Sequence, residues 1–254
     1  MRQGKDIIKC KRRTEMKEEI KFKEDIDWSK VSLLIKIGLI GAFIILIGDF
    51  LMGWGVRDES LSGIEGQVSQ YLAISDSRMF WSSFLGLLGV PIAAVGHFGV
   101  YKLLKPYSQK YAKLYALGGF GFLTFGGAGV HVSSVESAFF YKYMTAADPN
   151  TALATSMKFV SYFPLPIYIA LLVCWIILVY VHIRAVAKGF SPYPRWCWVF
   201  SMLVGTLLAS LFSIFGNHAI ANAIKVGAFS LGNIWTLTGH LLMLGRAKEN
   251  YEGI

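Results

Sequence analysis

Seven side chains of chemically capable type stand in or beside stretches too apolar to expect them: Asp49, His131, Ser134, Glu136, Asn217, His218 and Asn233. A carboxylate near an imidazole can pass a proton, hold a cation or, with further ligands, hold a metal. Placing a charge at the centre of a lipid-spanning helix costs about 2.5–3.5 kcal/mol on insertion scales, so such groups are functional candidates by default. Asp49 ends an apolar run in IGDFLMGWG. His131, Ser134 and Glu136 lie in GGFGFLTFGGAGVHVSSVESAFFY, residues 118–141, a stretch long enough to cross a bilayer that also carries six glycines.

The elements that must position these groups can be read from hydropathy. A membrane helix needs roughly 20 mostly apolar residues, and six stretches qualify: about 31–53, 79–103, 113–141, 157–183, 195–215 and 227–245. Of the 254 residues 54% are hydrophobic and only 16% charged, against about 25% charged in ordinary soluble domains. The charges collect between the apolar stretches. The expected fold is therefore all-α: a polytopic membrane protein built as a six-transmembrane-helix bundle. A basic tail (1–30) precedes the membrane domain (31–245), and a short tail (246–254) comes after it. The first 30 residues are too long and too charged for the n-region of a cleaved signal.

Charge placement sets the expected orientation. Eleven Lys and Arg lie in residues 1–36, four in 102–113, three in 184–195 and two in the carboxyl tail; the three opposite connections hold five. Positive-inside bias puts both termini in the cytoplasm. The net charge of +9 thus reads as juxtamembrane cations facing anionic lipid, with no nucleic-acid partner. Cys10, Cys174 and Cys197 form neither a disulfide framework nor a C-x-x-C pair.

Depth gathers the candidates. At about 1.5 Å of rise per residue, Asp49 and Glu136 lie about 7–8 Å below the outer boundary, with Asn217, His218 and Asn233 in the same layer and His131 as its floor. Facing divides them. Residues five apart on a helix differ by about 140°, so His131 shares a face with Ser134 while Glu136 shares one with Ser133. Several groups also have a structural reading: Asp49 paired with Arg78 or Lys158, His131 bridging two helices, Glu136 reaching water or Lys142, His218 as an exposed loop histidine, and His97 and His240 bridging helices. His182 falls at the edge of its span. Glycines at seven-residue spacing (Gly41, Gly48 and Gly55; Gly89 and Gly96; Gly119 and Gly126) predict close packing of the first three spans. No P-loop, H-E-x-x-H or G-x-S-x-G motif is present, so no metal ligand set is assigned and no cofactor is demanded.

The order GDF, GHFGVY, GGAGVH, GNH resembles a family of uncharacterised six-span bacterial membrane proteins over about residues 31–245. That resemblance implies topology and a place in the bacterial plasma membrane rather than an activity. A looser likeness is to the alkaline-ceramidase type of membrane hydrolase. There intramembrane His, Asp and Ser hold zinc, and Asp49, His131, Ser134 and His218 supply the residue types. The paired histidines expected in the last helix are missing: His240 has Thr236 one turn before it and Leu244 one turn after.

Three readings stay open at this point. The first is an outward-facing pocket that binds or transports a small or lipid-like molecule. The second is an intramembrane metal-dependent hydrolase. The third is a structural or sensory subunit whose polar groups only lock helices together. The lipid bilayer is the one partner that all three require.

Overall fold

The computed structural model describes residues 25–253; most of the basic tail, with Cys10, lies outside them. Among the described residues the chain is helical, without strands. Three helices among these residues are long and apolar enough to cross a membrane: α1 (Trp28–Gly53), α3 (Asp76–Leu104) and α7 (Pro164–Lys188). A short helix, α2 (Gly63–Val68), lies between the first two. The third apolar stretch is α4 (Gln109–Phe125), a π-helical segment (Gly126–His131) and α5 (Val132–Ala147). Then come α6 (Ala152–Tyr162), α8 (Met202–Ser210), α9 (Ala219–Val226), α10 (Ala228–Leu242) and α11 (Leu244–Glu252).

Local chemistry places the helix ends. The Asp27 carboxylate accepts from the Lys30 amide at 2.9 Å and caps α1, satisfying a first-turn N–H that has no helical partner. Pro164 occupies the first turn of α7, where its missing N–H costs nothing. Gly189 closes that helix in the left-handed region at φ 79°, the usual glycine stop. Proline also explains a difference from the expected fourth span. The stretch 157–183 is not one helix: the chain breaks at Phe163 before Pro164 and leaves α6 separate, because Pro164 and Pro166 have no N–H with which to continue the helical ladder. The fifth stretch is broken as well, into 3-10 turns at Arg195–Phe200 and Leu211–Phe215 around α8, with Ser201 extended.

α1 and α3 form the central pair, packed backbone to backbone. A Cβ on Gly38 would fall 2.3 Å from Gly96 Cα, and one on Gly41 would fall 2.3 Å from Ala93 N. The expected close approach is therefore real for these two helices. In the third stretch it holds for Gly126, where a Cβ would lie 3.0 Å from Val90 of α3, but not for Gly119, which has ordinary room beside His97; Gly118 and Gly121 instead meet Leu178 and Cys174 of α7. α10 packs on α1 and α8, and α9 lies across α1.

The π segment arises in the run GGAGVH, where helix propensity is poorest. A π-bulge adds a residue to the turn and re-aims the helix beyond it. Its glycines face α3: a Cβ on Gly127 would sit in ordinary contact, 3.5 Å from the Leu87 carbonyl. Pro91 within α3 leaves that carbonyl without its helical donor.

Candidate functional site

A cavity of about 580 Å³ opens between α1, the π segment, α5, α7, α9 and α10. Asp49, His131, Ser134 and Asn233 line it, with Tyr71, Tyr168, Lys225 and Ser230; most of the remaining wall is apolar. Four of the seven candidates therefore come together. The other three do not. Glu136 is exposed on the far face of α5, as its angular offset from His131 requires, so the cavity does not wrap around the helix. His218 is exposed at the start of α9. Asn217 works outside the cavity as a clasp: its side chain accepts from the Arg57 amide (3.0 Å) and donates to the Arg57 carbonyl (2.9 Å) and Glu59 (3.1 Å).

His131 is the best-defined group. Its ring fits only because residue 86 is glycine; a Cβ there would lie 2.0 Å from His131 Cδ2. Nε2 is 2.9 Å from the Ser82 backbone carbonyl, which can only accept, so Nε2 carries a hydrogen. The Ser82 hydroxyl, 3.3 Å from the same nitrogen, donates to the Gly48 carbonyl at 2.8 Å. On the other side of the ring, Nδ1 faces Asp49 Oδ1 at 3.3 Å. Asp49 Oδ2 accepts from the Ser230 hydroxyl at 2.5 Å.

This geometry fixes a proton count. A bare imidazole nitrogen and a carboxylate oxygen both lack a hydrogen to give, so the Nδ1···Oδ1 contact is favourable only when the pair holds one further proton. With the proton on either atom the pair is neutral overall. Without it, a net negative charge stands in an apolar wall, which is costly. The arrangement can thus take up or release one proton at the cavity surface.

Beside it, the Tyr168 hydroxyl meets the Ser134 hydroxyl, and Ser134 donates to the Val130 carbonyl at 2.6 Å. Asn233 is buried with neither amide atom hydrogen-bonded. The nearby His97 ring lies outside hydrogen-bond geometry to it and bonds Tyr115 through Nδ1 at 3.0 Å.

Several pairings differ from the structural readings. Arg78 donates to the carbonyls of Leu51 and Trp54 rather than to Asp49, and Lys158 is exposed. Lys142 bonds Asp76 at 2.9 Å instead of Glu136. His182 is buried rather than interfacial, its ring 5.0 Å from that of His240. Sequence reasoning missed Ser82, Tyr168, Lys225 and Ser230. A serine in an apolar helix is too common to stand out, and only the fold shows which faces of α3, α7, α9 and α10 turn toward His131 or the cavity beside it.

The chain belongs to a family of unknown function (DUF6796), whose match covers residues 16–247. No curated protein and no solved structure matches it.

Proposed function

We propose that the protein is a multi-pass membrane protein whose cavity binds, and in transport would carry, a small or lipid-like molecule beside the Asp49–His131 pair. The observation that carries this reading is the cavity itself. Its volume of about 580 Å³ falls within the ~300–1,000 Å³ of small-molecule sites, and such sites combine apolar walls with a few placed polar groups. Six spans with both termini cytoplasmic, in a plasma membrane, is the proposed setting. The charge distribution supports it, and so do the three long apolar helices. Within that setting, residues 31–245 form the membrane domain and the two tails face the cytoplasm.

The hydrolase reading needs Asp49, His131, Ser134 and His218 in one site. His218 stands outside the cavity, and among the described residues no three His, Cys, Asp or Glu side chains are placed to share a metal ion.

The test is thermal unfolding of detergent-purified protein against a panel of amphiphiles and small polar molecules, wild type beside Asp49→Asn. A carboxamide can still accept from Ser230 and donate to His131, so Asp49→Asn is expected to fold with its Tm within a few degrees of wild type. A ligand at 100 times its Kd stabilises by about 2.7 kcal/mol, and binding of an uncharged ligand to wild type should carry a pH dependence that Asp49→Asn lacks. The same pH dependence in both proteins would remove the pair from the reading.

A further inference from the structure

The cavity is open on one side through apolar residues, and its charges are not balanced. Four of its lining side chains are also widely exposed: Leu165 at 46%, Ile169 at 55% and Leu172 at 47% on α7, and Phe229 at 53% on α10. α7 and α10 touch little along their length, and the rings of Trp175 and Phe229 meet between them, 5.3 Å between centroids. Apolar side chains that line a cavity and also face outward from apolar helices make an entrance for a hydrocarbon chain.

The polar end selects a charge. With its shared proton the Asp49–His131 pair is neutral, so the net charge on the cavity wall is the Lys225 ammonium. Asn217 and Asn222, the latter one turn from Lys225, bond the backbone of Arg57 and Gly55 and so hold Arg57 next to the helix that carries Lys225. Two cations held near one another, one of them on a cavity wall, call for an anion. Neither forms an ion pair or a side-chain hydrogen bond among the described residues, and Arg57 Nε is buried without a partner. The acids next to Arg57 in the chain are engaged elsewhere. Asp58 accepts from Ser60 at 2.6 Å, and Glu59 accepts from Asn217 at 3.1 Å.

We propose that the cavity takes a single-chain anionic amphiphile, its chain entering between α7 and α10 past Trp175 and Phe229, its carboxylate or phosphate head set against Lys225 and Arg57. The proposal rests on the ligand-binding reading above and adds the ligand's charge, shape and route.

The experiment measures binding of three amphiphiles with the same acyl chain to the full-length protein in a neutral detergent. The probes are a lysophosphatidylglycerol, the free fatty acid and the uncharged monoacylglycerol. Brominated chains report position by quenching Trp175, with Trp175→Phe giving the background. Both anionic probes should bind at least tenfold tighter than the neutral one and quench Trp175. Lys225→Gln and Arg57→Gln should each weaken anion binding by about tenfold, as expected for loss of a charged hydrogen bond, and Lys225→Arg should restore most of it. Preference for the phosphate probe alone or for the fatty acid alone would support the proposal and name the head group. Equal binding of neutral and anionic probes, blocked by the cavity-filling Ser134→Trp, would overturn the anionic head while leaving the cavity as a binding site. Binding that neither quenches Trp175 nor responds to Ser134→Trp would overturn both. Failure of all three probes to bind folded wild type would overturn the amphiphile.

Discussion

Asp49 and His131 act as one group because the Ser82 carbonyl claims Nε2 and leaves Nδ1 facing the carboxylate. Neither residue alone sets the chemistry; the count of one proton belongs to the pair. Lys225 contributes a second, separate pH response. Burial, with Arg57 nearby, holds its ammonium below the ordinary lysine value. Only the protonated form attracts an anion. Affinity for an anionic amphiphile is therefore expected to be full at neutral pH and to fall as pH rises through this lowered value, earlier than an ordinary lysine would allow. A titration of fatty-acid affinity on the alkaline side, wild type against Lys225→Arg, checks this: the arginine variant should stay flat.

At the scale of elements, glycine does two different jobs. On α1 and α3 it lets backbones touch, so Gly38→Ala and Gly41→Ala force whole helices apart and should cost at least the ~1–3 kcal/mol of an overpacked core. At Gly86 it makes room for a single ring. Gly86→Ala should destabilise by a similar ~1–3 kcal/mol and displace His131 from Asp49, abolishing the share of the pH dependence that the Asp49–His131 pair contributes. Gly245→Ala is the control, since a Cβ there meets nothing within 4 Å. Thermal unfolding of the four variants in one detergent ranks them. A cost for Gly245→Ala equal to that for Gly38→Ala would contradict the packing account.

The reach of each sequence signal explains which elements were legible in advance. Length and hydropathy are local, so α1 and α3 fall within a few residues of the expected 31–53 and 79–103. The breaks before Pro164 and at Ser201 escape this reading, because average hydropathy does not register where the backbone leaves the helix. Depth along the chain puts Asp49 and Asn233 in one layer with His131 as its floor, and the helical period separates Glu136 from His131. Depth does not separate cavity from surface, and so it groups Asn217 and His218 with a site they stand outside. Ser230 and Lys225 come from elements distant in sequence, and their relation to Asp49 exists only once α9 and α10 pack on α1.

Taken as a whole, the molecule has a tight seam between α1 and α3 and a loose one between α7 and α10, and the cavity with its proton-holding pair lies between them. A protein whose polar residues served only to lock helices would have no reason to leave the second seam open. The most direct test is the rate at which a membrane-permeant maleimide modifies Ser134→Cys and Ser133→Cys in intact membranes, each in a chain with Cys10, Cys174 and Cys197 replaced. Ser134 lines the cavity, whereas Ser133 is buried on the neighbouring face of the same helix. The account predicts modification several-fold faster at position 134, slowed by added fatty acid. Equal rates at both positions, with no protection, would contradict it.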